Sequence, residues 1–129
     1  MKNNKTLSAL FFALITIPCL NPLGQEALAG NFSRSCSNIV LERGQILRAN
    51  CKDRDANYRS TSLNLNRGIQ NRNGYLTAGE GYVRTCKNIG WSRGVNLRAD
   101  CRTYNGDWRY SELNLDSIIS NIDGNLIFD

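Results

Sequence analysis

The chain has 129 residues, with 16 Lys and Arg against 11 Asp and Glu, five Cys and no His. A length of that order allows one domain or two very small ones. The absence of histidine removes the common Ser-His and Cys-His nucleophile systems and, with no C-x-x-C pair present, the usual zinc site. No metal and no cofactor is expected.

Lys2 and Lys5 precede an apolar run at 7–17, and Ala27-Leu28-Ala29 forms a small-residue cleavage pattern. Residues 1–29 therefore read as a secretory signal peptide cut after Ala29. The apolar run is too short to span a bilayer, and no second one follows, so the expectation is a secreted or periplasmic chain without a membrane span. Residues 30–129 carry 14 basic and 10 acidic side chains, a net charge of +4, and four cysteines: Cys36, Cys51, Cys86 and Cys101. An even cysteine number in a small exported chain points to disulfides.

Along the chain, Arg43-Gly44 marks a turn. Leu47, Ala49 and Cys51 then alternate with Arg48, Asn50 and Lys52, the period of a half-buried strand. Leu63, Leu65 and Ile69 predict a strand end running into one short helical turn. Asn73-Gly74 is a type I′ hairpin dipeptide. A linker of small residues, Thr77-Ala78-Gly79-Glu80-Gly81, follows. Then the pattern returns: Arg93-Gly94, the strand Leu97, Ala99, Cys101, the trio Leu113, Leu115, Ile119, and the hairpin dipeptide Asp123-Gly124.

A shift of 50 residues lays 32–76 on 82–126 without a gap, and 18 of the 45 aligned pairs are identical. The region is a tandem duplication. Both copies hold their cysteines 15 apart, so bonding within each copy gives two equivalent bridges, Cys36–Cys51 and Cys86–Cys101. Each closes a short loop, worth roughly 3 kcal/mol in the chain-entropy model. No long amphipathic helix is present, and the fold class is all-β, built of short antiparallel hairpins. One copy is too small to bury much alone, so the two are expected to share a core, with Tyr58, Trp108, Leu65, Leu115, Ile69 and Ile119 as candidates.

These residues carry a likeness. F-S-R-S-C at 32–36, S-L-N-L-N at 62–66, E-L-N-L-D at 112–116, Asn71-x-Asn73-Gly74-x-Leu76 and Asn121-Ile122-Asp123-Gly124-x-Leu126, with the doubled cysteine spacing, resemble the cyanovirin-N homologues, a family of small lectins. The resemblance covers all of 30–129. It implies two pseudo-symmetric halves that exchange strands, 30–67 plus 118–129 in one and 68–117 in the other. It also implies binding of high-mannose oligosaccharides or glycoproteins, above all terminal α1,2-linked mannose, without catalysis.

Carried over by position, the first pocket comprises Asn31, Arg34, Ser35, Lys52, Arg54, Asn121 and Asp123. The second comprises Gln70, Asn71, Asn73, Arg84, Thr85, Thr103, Tyr104 and Gly106. Such side chains complement sugar hydroxyls, which both donate and accept. The chain departs from the family's type member in its bases at 34, 52, 54 and 84 and in Asn73 where that protein has an Asp. The linker lacks that member's hinge proline, which favours a monomer over a domain-swapped dimer.

Other readings stand beside this one. Asn71 and Asn121 could serve only local backbone groups, and Asp123 could serve both turn and sugar. Arg48, Arg98, Arg59 and Arg109 read as a solvated face. Twelve of the 14 basic residues in 30–129 are Arg, which suits a polyanion- or nucleic-acid-binding protein. Interspersed acids and the absence of a nucleic-acid motif weigh against that alternative. A glycosidase needs paired carboxyls, and Asp100, Asp107, Glu112, Asp116 and Asp123 show no such pairing.

Overall fold

The computed structural model describes residues 30–129; the signal peptide expected over 1–29 lies outside the described residues. Each copy of the duplication folds into a three-stranded antiparallel sheet followed by a hairpin. The first sheet orders β1 (Cys36–Glu42), β2 (Ile46–Lys52) and β3 (Tyr58–Asn64), and its hairpin is β4 (Ile69–Arg72) with β5 (Tyr75–Ala78). The second sheet orders β6 (Cys86–Trp91), β7 (Asn96–Arg102) and β8 (Trp108–Asn114), followed by β9 (Ile119–Ile122) with β10 (Asn125–Phe128). Short 3-10 turns at Phe32–Arg34, Leu65–Arg67, Tyr82–Arg84 and Leu115–Ser117 lead into or out of the sheets. The all-β expectation holds.

The disulfides pair as the duplication predicts. Cys36 faces Cys51 across β1 and β2, Cys86 faces Cys101 across β6 and β7, and both pairs are bonded. In each sheet the register slips just beyond the bridge, between Ser37 and Val40 and between Lys87 and Gly90. Asn38 and Asn88 sit at these bulges with φ of 52° and 55°. Asn tolerates that left-handed conformation better than most residues, which explains its presence in both copies.

Both hairpins turn on two residues, Asn73-Gly74 and Asp123-Gly124, all with positive φ, as a type I′ turn requires. Each hairpin docks on the sheet of the other copy. Leu76 N–H donates to Ser111 Oγ of β8, and Leu126 N–H donates to Thr61 Oγ1 of β3. The exchange points are the 3-10 turns. Asn64 and Asn114 cap them by accepting from the N–H groups of Asn66 and Asp116. Asn66 and Asp116 then reach across: Asn66 Oδ1 accepts from Val83 N–H and Asp116 Oδ1 from Ser33 N–H, each at 2.9 Å. The repeated L-N-L-N and L-N-L-D phrases are thus a capped turn plus a cross-copy clamp.

One apolar cluster draws on both copies, including Phe32, Leu47, Leu65 and Ile69 with Tyr82, Leu97, Leu115 and Ile119, all fully buried. Tyr82, aligned with Phe32, donates its hydroxyl to the Gly44 carbonyl of the first copy. Burial pushes that phenol well above its ordinary range.

Two expectations need correction. Tyr58 and Trp108 are not in the core: they are 57% and 43% exposed. Their partners across the ladder are Lys52 and Arg102, on the face opposite the cysteines, so strand parity turns both rings outward. Thr77 and Ala78 belong to β5, paired with Gln70 and Ile69. Only Gly79-Glu80-Gly81 remains as linker, and it joins β5 to the sheet on which that strand already docks. Among the described residues no helix is long and apolar enough to cross a membrane.

Candidate functional site

The first copy's β2–β3 loop, its 3-10 turn at Phe32–Arg34 and the tip of the β9–β10 hairpin converge on a cleft of about 710 Å³. Its lining is Gly30, Asn31, Arg34, Ser35, Lys52, Asp53, Arg54, Asn121, Ile122 and Asp123. All seven residues expected for the first pocket are therefore brought together. Asn121 is the fastener. Its amide donates to Ser35 Oγ at 2.8 Å and to the Lys52 carbonyl at 2.9 Å, while its oxygen accepts from Gly124 N–H at 2.8 Å. Both amide hydrogens are taken up by the protein, so Asn121 shapes the cleft and its donors are not free for a ligand. Asp123 Oδ1 accepts from Arg54 N–H at 2.9 Å, and Asp123 lines the cleft with its second oxygen outside that bond.

Gly30, Asp53 and Ile122 were not foreseen. Asp53 accepts through Oδ1 from the N–H groups of Asp55 and Asn57 and through Oδ2 from Arg59 Nε at 2.8 Å. The Arg59 guanidinium, helped by the Asn57 N–H, holds this carboxyl below its ordinary range. Its side chain is only 5% exposed, so Asp53 braces the loop from within. The 50-residue shift could have found it, since Asp53 aligns with Thr103, a residue assigned to the second pocket. Arg59 is not merely solvated: beyond its ion pair, its stem covers Gly124, where a Cβ would lie 2.8 Å from Arg59 Cδ. Arg109 covers Gly74 in the same way and lies 4.6 Å over the Tyr75 ring. Arg48 pairs with Glu42 at 2.7 Å, and Arg98 donates to the carbonyls of Trp91 and Asn88.

The second set repeats the plan with different chemistry. Asn71 donates to Thr85 Oγ1 at 3.0 Å and to the Arg102 carbonyl at 2.9 Å, and accepts from Gly74 N–H at 2.7 Å. Asn73 Oδ1 accepts from Tyr104 N–H, as Asp123 does from Arg54. Thr103 Oγ1 accepts from Asp107 N–H, in a loop that turns through Gly106. Gln70 folds over Gly79 and donates to the Ala78 carbonyl. Arg84 and Thr85, beside them, are exposed, and Tyr104 is 79% exposed. A second, smaller cleft of about 370 Å³ lies elsewhere, lined by Ser92, Arg93, Asn96 and Glu112.

The sequence model of the CVNH domain, the cyanovirin-N homologue domain, matches residues 32–127. The chain belongs to the CVNH family. CVNH proteins are lectins, which hold carbohydrate without catalysing a reaction on it. The chain is similar to GzCVNH of Gibberella zeae, at 34% identity over 77% of this chain and 97% of that one, with a TM-score of 0.71. It is similar to microvirin, solved as a complex with mannobiose, at 34% identity over 78% and 99% with a TM-score of 0.64. It also resembles LKAMG, a designed cyanovirin-N homologue lectin, at 30% identity over 79% and 100% with a TM-score of 0.70. No curated protein matches the chain.

In this CVNH chain the first cleft combines a carboxylate oxygen on Asp123 and a hydroxyl on Ser35 with the bases Arg34, Lys52 and Arg54. None of those three bases has a carboxylate partner among the described residues. Ile122, 45% exposed, supplies one apolar wall. Among the described residues no cluster of three or more His, Cys, Asp or Glu could hold a metal. The groups present suit reversible hydrogen bonding to a polyhydroxylated ligand.

Proposed function

We propose that the protein is an exported lectin for high-mannose glycans, with terminal α1,2-linked mannose held in the first cleft and a weaker, shallower site at the second set of residues. One observation carries this reading. A cleft of about 710 Å³ gathers all seven residues that the family resemblance selects, in a chain 34% identical to microvirin, which was solved with mannobiose. Asp123 Oδ2 accepts from sugar hydroxyls, Arg34, Lys52 and Arg54 donate to them, and Ile122 packs against ring carbons. Each hydrogen bond contributes only about 1 kcal/mol net, so a single dimannose binds weakly. Two sites on one body raise avidity for branched or clustered glycans. The pattern of Lys2, Lys5, the apolar run and Ala27-Leu28-Ala29 supports export, and the mature chain should begin at Gly30.

Calorimetric titration of the oxidised protein with α1,2-mannobiose, beside the α1,3 and α1,6 isomers, tests the reading. Saturable binding with preference for the α1,2 linkage is expected, and Asp123→Asn should weaken it by roughly tenfold, the loss of one charge-assisted bond. Absence of saturable binding overturns the proposal. Mass analysis of the exported protein checks the cleavage site.

A further inference from the structure

Duplication provides an internal control: what differs between copies at equivalent positions is not demanded by the fold. One such contrast lies on the outward face of the second sheet. There the register sets Lys87 beside Asp100, Asp100 beside Tyr110, Arg102 beside Trp108 and Arg98 beside Glu112. The equivalent face of the first sheet carries Ser37, Asn50, Ser60, Lys52, Tyr58, Arg48 and Ser62. The second copy thus has a base for Ser37, an aromatic for Ser60 and a larger aromatic for Tyr58.

These residues are organised. Lys87 Nζ lies 4.1 Å and Arg102 Cζ 4.5 Å from the Trp108 ring centroid, which fixes two flexible bases in place. Neither has a carboxylate within 4 Å among the described residues, and Asp100 accepts from Asn88 through Oδ2. Tyr110, 55% exposed, comes next along β8. At the far end Glu112 accepts from Tyr110, Ser92 and Asn96 and borders the cleft of about 370 Å³. From Trp108 to Glu112 the strand runs about 13 Å. One line of surface therefore holds a polar cleft, two exposed aromatics and a pair of cations outside any ion pair among the described residues.

We propose that this face is a further carbohydrate site, specific for an acidic oligosaccharide. Its hydroxyls enter the cleft at Asn96 and Glu112, a ring packs on Tyr110, and its carboxylate or sulfate group sits at Lys87 and Arg102, which Trp108 holds in place. The acids Asp100 and Glu112 on the same face disfavour a uniformly charged chain, so nucleic acid fits less well than a sugar chain with discrete anionic groups.

The test titrates the protein with a sulfated tetrasaccharide, a tetragalacturonate, a neutral tetramannoside and a single-stranded oligonucleotide of matched charge. The triple variant Lys87→Ser, Trp108→Tyr, Tyr110→Ser, which installs the first copy's residues, is titrated in parallel, with an amide NMR spectrum as the check on folding. Saturable binding of either acidic sugar, weakened about tenfold or more in the triple variant, supports the site and identifies its anion. Failure of both acidic sugars to bind, unchanged binding by the triple variant, or equal affinity for the oligonucleotide overturns it. Mannobiose binding at the first cleft is read separately, so either proposal can fail alone.

Discussion

Asn121 and Asp123 stand two residues apart on one hairpin and have different duties. Asn121 joins three segments through hydrogen bonds at 2.8, 2.9 and 2.8 Å. Asn121→Ala should cost about 1–2 kcal/mol, because it removes the half-buried bonds to Ser35 Oγ and Gly124 N–H, while water can replace the exposed one to the Lys52 carbonyl; urea denaturation measures this. Asp123→Asn keeps the acceptor for Arg54 N–H, so it should change stability little while weakening sugar binding. Asp53 supplies a pH dependence. Its folded carboxyl lies below the ordinary 3.8, mainly through Arg59, so its contribution is complete above pH 3.8 and is lost as pH falls through the lower folded value. Denaturation midpoints followed down from about pH 5 should show that loss, and Asp53→Asn should reduce it. That role was hidden in the sequence because the bracing contacts come from the Asp55 and Asn57 backbone and from Arg59. Ala56 is also informative. It holds φ at 67° where its counterpart Gly106 holds 91°. Ala56→Gly should stabilise the loop by about 0.5 kcal/mol, the relief of left-handed strain less the entropy of glycine, read as a small rise in Tm.

At the scale of strands, legibility depended on parity. The alternation in LRANC and LRADC gave β2 and β7 because buried Leu, Ala and Cys mark one face without ambiguity. The I′ dipeptides gave both hairpin turns. Tyr58 and Trp108 misled because matched aromatics suggest a core, yet in β3 the ring shares its parity with Ser60 and Ser62. That alternation was the available signal. Docking of each hairpin on the other copy's sheet is not visible in local pattern at all; it depends on Asn66 and Asp116 reaching 17 and 83 residues along the chain. Cys51 and Cys101 are fully buried in the apolar cluster that both copies share. Replacing Cys36 and Cys51 with Ala should lower stability by about 3 kcal/mol, measured by denaturant unfolding, and loosen β1 beneath Ser35 at the cleft.

For the whole molecule, exchange of hairpins and a single apolar cluster mean that neither half owns a complete core. Unfolding should be one cooperative transition, with calorimetric and van't Hoff enthalpies equal; two resolved transitions would show independent halves. The halves nevertheless present different surfaces, a basic polar cleft on one and an aromatic, cation-bearing face on the other. Sequence comparison with the family located the first cleft's residues but not the second face, because that face has no motif and emerges only once β6, β7 and β8 lie side by side. The central claim is that the first cleft holds mannose. An amide NMR titration with α1,2-mannobiose tests it most directly. The account predicts saturable shifts at Asn31, Arg34, Ser35, Lys52, Arg54, Asn121 and Asp123. Saturation with shifts confined to other residues, or none at all, would contradict it.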